Sequence, residues 1–112
     1  TPPRGVDFQE IIKPKLSKTV SELYAQKNDL AGKEVVVRGK VVKFSKNIMG
    51  KNWIHVQDGT GDIGSNDLTI TTTAVAKIGD IILVRGRIAI NKDFGFGYKY
   101  DIIIEDANVT FE

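Results

Sequence analysis

Three side chains that can stack or form hydrogen bonds alternate along one short apolar segment. Trp53, His55 and Gln57 stand at every second position, with Ile54 and Val56 between them, so in a β-strand the two sets face opposite sides. An exposed indole ring would stack a nucleobase, which is worth about 1–3 kcal/mol, and imidazole and amide groups would hydrogen-bond base edges. The alternatives are that Trp53 packs under the N-terminal arm or helix, and that His55 is a partly exposed sheet histidine.

Threonine hydroxyls repeat this alternation in a second segment. Leu68 and Ile70 predict an inward face, whereas Thr69 and Thr71 alternate with them and predict an outward face. We expect this second strand to lie beside the first, where its hydroxyl groups would bind a ligand more weakly than the amide and imidazole groups.

Positive charge is concentrated around the first of these segments. Between residues 38 and 57 the chain has five Lys or Arg residues and no Asp or Glu, although its net charge is only +2. Lysine and arginine beside a stacking surface bind phosphates and release counterions. The alternative is a solvated sheet edge, since charged side chains also protect edges from pairing. The phosphate contacts expected here are Arg38, Lys43, Lys46 and Lys51.

A second group of aromatic residues occurs in a glycine-rich segment at residues 91–100. Four rings recur at every second position, with Gly95 and Gly97 between them, so an extended hairpin would place the four rings on one face. Rings beside lysines would clamp single-stranded bases by stacking and cation–π contacts. The alternative is that Tyr98 and Tyr100 cover one end of the fold and only the other two rings are exposed. The binding residues expected in this segment are Lys92, Phe94 and Phe96.

The remaining motifs argue against catalysis and against a bound metal or cofactor. Asp58, Thr60 and Asp62 have the spacing of a calcium loop, but Ile63 replaces the glycine and Thr69 replaces the bidentate glutamate of such a loop. The chain has one His and no Cys, which disfavours a structural zinc site, and no nucleophile has an evident His or Asp partner. We therefore expect no catalytic residues, no metal and no cofactor.

The elements that must position these residues begin with an internal repeat. Residues 34–42 return as residues 80–88, and each copy is a β-branched run interrupted by one glycine, Gly39 or Gly86, flanked by cations. Such runs form strands, and a glycine inside a strand marks a bulge or a sharp bend. Two long bent strands suit a small closed barrel, in which a strand turns a corner between two sheets.

The rest of the chain completes the plan of one domain. Early prolines predict an arm or linker over residues 1–16, and a capping box from Thr19 to Glu22 begins a short helical segment that ends at Gly32. We expect strands at about 34–44, 52–57, 67–73, 80–90 and 98–105, with a loop at 45–51. This arrangement predicts an all-β fold with a short N-terminal helix, a five-stranded Greek-key OB-fold barrel over residues 17–112.

Two stretches also carry a family resemblance. Val37-Arg38-Gly39-Lys40-Val41 and Trp53-Ile54-His55-Val56-Gln57-Asp58-Gly59-Thr60-Gly61 resemble the tRNA-anticodon-binding type of OB-fold nucleic-acid-binding domain. Residues 17–107, which include Lys92-Asp93-Phe94-Gly95-Phe96-Gly97-Tyr98-Lys99-Tyr100, are also similar to small stand-alone bacterial OB-fold proteins. Those proteins are generally described as binding nucleic acid, and some are exported or lipid-anchored. The resemblance implies an OB-fold and a nucleic-acid ligand.

These observations support a leading hypothesis and two alternatives. The leading hypothesis is a non-enzymatic module that binds single-stranded DNA or RNA with weak sequence preference, because stacking accepts any base. The first alternative is an exported cell-envelope protein that binds a protein partner, a small ligand or a cation; the initial Thr in place of Met favours a processed product, with a cytoplasmic location left open. The second alternative is an accessory domain of a larger nucleic-acid enzyme.

Two further expectations concern the molecule as a whole. No apolar run approaches the roughly 18 residues that a membrane-spanning helix needs, so we expect no membrane span. An OB-fold leaves a gap in the barrel wall, and unpaired strand edges at that gap allow a homodimer.

Overall fold

In residues 17–112, the part of the chain that the computed structural model describes, six strands and two short helices follow one another. The arm predicted for residues 1–16 lies outside the described residues. The helices are α1 (Val20–Ala25) and α2 (Lys27–Leu30), and the strands are β1 (Glu34–Ile48), β2 (Lys51–Gln57), β3 (Leu68–Thr72), β4 (Ile81–Asp93), β5 (Lys99–Ile104) and β6 (Asn108–Phe111).

The first five strands form a closed ring. Their order is β1-β2-β3-β5-β4, and β4 pairs back to β1. The pair of β3 and β5 is parallel, whereas the other neighbours in the ring are antiparallel. β1 pairs with β4 from Glu34 to Lys40 and with β2 from Lys40 onward, so this one strand closes the ring. The ring is a five-stranded OB-fold barrel, which confirms the predicted fold class.

The two repeated glycines allow close approach between strands. A β-carbon on Gly39 would lie 2.4 Å from Cγ1 of Val56, and one on Gly86 would lie 2.5 Å from Cγ2 of Ile104. The pairing of β1 with β4 runs through both glycines without a shift in register. The bulge expected at the first glycine is instead a register shift between Val41 and Lys43 in the pairing of β1 with β2. Glycine is needed at both positions because a neighbouring strand occupies the space of its side chain.

The helical segment closes one end of the barrel and begins as predicted. The Thr19 hydroxyl accepts a hydrogen bond from the Glu22 amide at 3.1 Å, and the Glu22 carboxylate accepts one from the Thr19 amide at 2.8 Å, which confirms the capping box. The next amide, of Val20, donates to the Asp58 carboxylate at 2.9 Å. Val20 and Leu23 are fully buried. The turn after β2, whose residues have calcium-loop spacing, therefore fixes the start of α1.

The strand ends differ from the sequence prediction in three places. β1 and β2 extend into the segment predicted as a loop, and only residues 49–50 separate β1 from β2. β4 continues to Asp93, three residues beyond the predicted end, because its extension pairs with β5. β6 was not predicted; it pairs with residues Ile82–Arg85 of β4. Four residues, Asn108-Val109-Thr110-Phe111, show too short an alternation to define a strand by themselves, and pairing with β4 determines the conformation of this segment.

Candidate nucleic-acid interface

Side chains of β1, β2 and β3 that point away from the barrel interior form one continuous face. The aliphatic side chains of β2 and β3 fill the interior cluster, and the residues that alternate with them lie on the opposite side. Cross-strand pairing places Lys43, His55 and Thr69 in one row across the three strands. The predicted alternation is therefore confirmed. We call the following set the outer face: Lys43, Ser45, Trp53, His55, Gln57, Thr69 and Thr71.

Trp53 is packed rather than exposed on this face. Its side chain is buried, with 4% exposure, and its indole Nε1 donates a hydrogen bond to the carbonyl oxygen of Ile48 at 2.8 Å. Its ring centroid lies 5.5 Å from that of Phe94, 5.8 Å from Tyr98 and 5.7 Å from Tyr100. The open stacking surface expected at Trp53 is thus absent, and its packing partners in the described chain are rings of the β4–β5 hairpin. We call these four residues the aromatic cluster.

The turn of the β4–β5 hairpin separates one ring from the other three. Phe96 has 97% exposure and a positive φ of 55°, and it stands between Gly95 and Gly97, which also have positive φ. The Phe94 amide donates to the Tyr98 carbonyl at 2.8 Å across the turn. The four rings were expected on one face, but left-handed backbone at three successive residues breaks the strand alternation. Phe94 is therefore half-buried in the aromatic cluster, and Phe96 alone of the four points fully into solvent.

Asp67, just before β3, joins the polar groups of the outer face. Its Oδ2 lies 2.5 Å from His55 Nδ1, and its Oδ1 accepts a hydrogen bond from Gln57 Nε2 at 3.3 Å. The Tyr24 hydroxyl of α1 donates to the Asp67 carbonyl at 2.5 Å. Burial, with the nearby carboxylates of Asp67 and Asp101, raises the pKa of Tyr24 to about 12. This network ties α1 to the outer face.

The sequence analysis did not select Asp67 as a site residue. The signal available was its position directly before the Leu68–Thr72 alternation, which predicts that it meets the end of the strand carrying His55 and Gln57. An acidic residue at such a position can bond both side chains, but only the antiparallel register between β2 and β3 brings them together.

Thr69 and Thr71 lie on the outer face as predicted but are buried. The Thr71 hydroxyl accepts a hydrogen bond from the Asp106 amide at 2.9 Å, and the Thr71 carbonyl accepts one from Ala107 at 2.7 Å. Thr71 therefore holds the turn after β5 in place, and neither threonine presents the open hydroxyl that was expected for a ligand.

The predicted phosphate contacts divide into two groups. Lys43 and Lys46 on β1 are exposed, and neither forms an ion pair with a residue in the described range 17–112. The others are neutralised by carboxylates from the C-terminal part of the chain, in the pairs Lys51–Asp106 at 2.7 Å, Lys92–Glu105 at 3.3 Å and Arg38–Glu112. Positive charge that remains open on this side of the barrel is thus concentrated on β1.

The side chains that this arrangement leaves accessible can form hydrogen bonds, at His55 and Gln57, or stack, at Phe96. The His55 side chain is 26% exposed and is oriented by a carboxylate, so one ring nitrogen remains to meet a ligand. Within residues 17–112, no group of three or more His, Asp or Glu side chains is placed to hold a metal ion. No helix in the same part of the chain is long and apolar enough to cross a membrane.

Comparison with known proteins supports the fold. No protein-family model matches the chain, and no curated protein matches its sequence. Among solved structures, it is similar to OBody AM2EP06 bound to hen egg-white lysozyme, with a TM-score of 0.62, 17% identity and coverage of 89% of this chain and 95% of that chain. It is similarly close to OBody AM3L09 bound to the same protein, with a TM-score of 0.62, 16% identity and coverage of 88% and 95%. At these identities, the similarity establishes the OB-fold.

Proposed function

We propose that the chain is a non-enzymatic OB-fold module that binds single-stranded DNA or RNA across its outer face. The observation that carries this proposal is Phe96, a fully exposed ring on a hairpin that also carries the exposed Lys99. Base stacking is assigned to Phe96 instead of Trp53. The resemblance to anticodon-binding OB-fold domains supports a single-stranded ligand.

Contacts at the base of the hairpin and across its turn order the backbone that carries this ring. Trp53 anchors its base through three ring contacts, and the turn is closed by hydrogen bonds from the Phe94 amide to the Tyr98 carbonyl and from the Gly95 amide to Asp93 Oδ1, both at 2.8 Å. A positive φ at a phenylalanine is energetically unfavourable and is retained mainly where it serves a function. A hairpin backbone that is ordered before binding reduces the conformational entropy lost when a base stacks on the ring.

Lysine side chains on β1 supply the charge that such binding requires. Lys43 is exposed and lies directly opposite His55 in the pairing of β1 with β2, and Lys46 is exposed three residues further along the strand. In the proposed complex the single strand runs from Phe96 across the outer face, its phosphates contact these lysines, and their counterions are released on binding. Binding should therefore weaken as the salt concentration rises.

Fluorescence anisotropy of labelled oligonucleotides tests the proposal. We expect saturable binding to single-stranded DNA or RNA of about 12 nucleotides, and Phe96→Ala should weaken it about tenfold or more because a stacked base contributes about 1–3 kcal/mol. Phe111→Ala is the matched control, since Phe111 is also an exposed ring, at 47%, but lies on β6 away from the hairpin. Equal affinity for Phe96→Ala and the wild type would contradict the proposal.

A second candidate is the binding of a protein partner, including a partner in the cell envelope. The ion pairs of Lys51, Lys92 and Arg38 reduce the positive charge available for phosphates, and the similar OBody structures are bound to lysozyme. An exposed aromatic ring is also a common anchor of protein interfaces. Absence of oligonucleotide binding at about 50 mM salt, where phosphate contacts are strongest, would favour this function.

A further inference from the structure

We propose that Asp67 fixes the hydrogen-bond polarity of His55 and Gln57, so that the outer face prefers bases that carry an exocyclic amino group. The inference rests on the proposed single-strand binding and deepens it by naming the chemistry of the base. It is carried by the contacts of one carboxylate with two neighbouring side chains of β2.

The first contact determines which nitrogen of His55 carries the proton. A carboxylate can only accept hydrogen bonds, so at 2.5 Å from Asp67 Oδ2 the His55 Nδ1 must be the protonated nitrogen. In the neutral imidazole the other nitrogen, Nε2, is then an acceptor. Nε2 of His55 forms no hydrogen bond with any residue in the described part of the chain, and the side chain is 26% exposed.

The second contact orients the amide of Gln57 in the same sense. Asp67 Oδ1 faces Gln57 Nε2 at 3.3 Å, and the NH₂ group must be on this side because two facing acceptors would repel each other. The carbonyl oxygen Oε1 is therefore directed away from Asp67. The outer face then presents two acceptors from alternate residues of β2, Nε2 of His55 and Oε1 of Gln57.

The position of Asp67 is itself held by the helix. The Tyr24 hydroxyl donates to the Asp67 carbonyl at 2.5 Å, and α1 is fixed at its start by Asp58. The helix thus holds the main chain of Asp67, and the carboxylate is oriented by its contacts with His55 and Gln57. Preorganisation of this kind is what allows a small number of polar groups to discriminate between ligands.

Two acceptors select for a donor on the ligand. Cytosine N4 and adenine N6 are amino groups that donate, whereas uracil and thymine have a carbonyl oxygen at the position of the cytosine amino group. The cytosine amino group carries two hydrogens and can donate to both acceptors, whereas the one donor on this edge of uracil, N3–H, can satisfy a single acceptor. The other acceptor would be left unpaired, which is unfavourable when water is excluded. Cytosine and uracil have the same size and differ only in the exocyclic group at C4 and in the proton at N3, so they form a matched pair of ligands.

Competition between labelled oligo-dC and oligo-dU of equal length, measured by anisotropy in one buffer, tests the inference. We expect the wild type to bind oligo-dC about five- to tenfold more tightly, as one additional hydrogen bond predicts. Asp67→Asn should reduce the ratio to about one, because an amide can donate as well as accept and no longer fixes either partner. Asp101→Asn is the matched control; it removes the same charge from the adjacent strand β5 and should keep the wild-type preference.

The outcomes separate the inference from the function on which it rests. Equal binding of the two oligonucleotides by the wild type, or an unchanged preference in Asp67→Asn, overturns the inference and leaves single-strand binding in place. Failure to bind either oligonucleotide overturns both. If Asp67→Asn does not fold, Gln57→Met, which removes one acceptor without removing a charge, must lower the ratio; an unchanged ratio in that variant also overturns the inference.

Discussion

At the scale of residues, Trp53 and Asp67 organise the outer face in different ways. Trp53 is buried and anchors the β4–β5 hairpin through ring contacts and its indole hydrogen bond. Asp67 joins two strands and a helix through His55, Gln57 and Tyr24. Trp53 thus holds the hairpin in place by packing, and Asp67 orients its neighbours by hydrogen bonds. The exposed groups available for a ligand depend on both.

The aromatic cluster predicts that Phe94 and Phe96 contribute very differently to the free energy of unfolding. Phe94→Ala removes ring contacts with Trp53 and Tyr100 and should lower the free energy of unfolding by about 2 kcal/mol, less than a fully buried ring because Phe94 is half-buried. Phe96→Ala should change it by less than about 0.5 kcal/mol, since that ring is exposed. Urea denaturation followed by Trp53 fluorescence measures both. Equal losses would show that the hairpin is not held by the cluster.

The raised pKa of Tyr24 predicts a loss of stability in alkali. In the unfolded chain the hydroxyl ionises near its ordinary pKa of 10.0, whereas burial and neighbouring carboxylates raise the pKa in the folded protein to about 12. The stabilisation is therefore complete below pH 10 and is lost as the pH rises toward 12. Tyr24→Phe should lower stability by about 1 kcal/mol at neutral pH, where the bond to Asp67 is lost, and should show a smaller alkaline decline. Urea titrations at neutral and alkaline pH test this; an equal decline in both proteins would refute it.

At the scale of elements, the barrel depends on strands that pass close to one another. β1 pairs with two neighbours along its length and β4 with three, and each carries one glycine where a side chain of an adjacent strand fills the available space. The hairpin beyond β4 is an extension of this wall that turns its rings toward β2. The same strand thus contributes to the barrel interior and to the candidate interface.

Substitution at Gly86 should destabilise the barrel. In Gly86→Ala the new β-carbon would lie 2.5 Å from Cγ2 of Ile104, which forces a shift in a fully buried side chain and should lower the free energy of unfolding by about 1–3 kcal/mol. Thr73→Ala, at an exposed position after β3, is the control and should change stability by less than about 0.5 kcal/mol. Urea denaturation compares the two variants. An unchanged free energy of unfolding in Gly86→Ala would mean that the strands separate easily at this point.

At the scale of the whole molecule, charge is distributed unevenly although the net value is +2. Carboxylates of the turn between β5 and β6 and of Glu112, directly after β6, neutralise several cations, while the exposed lysines of β1 remain. The sixth strand also leaves one free edge on the sheet, since β6 pairs with β4 on one side in the described chain. A homodimer through such an edge stays a prediction. Sedimentation velocity would measure the oligomeric state.

The open lysines of β1 predict a measurable salt dependence. If Lys43 contacts a phosphate, Lys43→Gln should reduce the slope of log affinity against log salt by about 0.7, the value for one phosphate of a single strand. Lys33→Gln is the control, because Lys33 is exposed and precedes β1 at the opposite end of that strand. The slopes are obtained from anisotropy titrations between about 50 and 200 mM salt. If the slope falls equally in both variants, the effect comes from net charge alone and not from a phosphate contact of Lys43.

Local patterns were sufficient to predict most of the elements. The β-branched runs, the alternation around Ile54 and Ile70 and the capping box at Thr19 involve residues close together in the chain, and their physical consequences are local. β6 was missed because its strand conformation depends on pairing with β4, more than 20 residues away. The exposure of Trp53 was left open because alternation defines a face but not what covers it.

The sequence by itself determined the barrel, the identity of its inner and outer sides, and the presence of rings and cations near one face. Periodicity and β-branched composition carry that information, since they act through neighbours in the chain. Only the tertiary structure decided that Trp53 is buried under hairpin rings, that Phe94 but not Phe96 packs on it, and that Asp67 orients His55 and Gln57. Those outcomes depend on the twist of a hairpin and on the register between strands, which bring together residues that no local pattern connects.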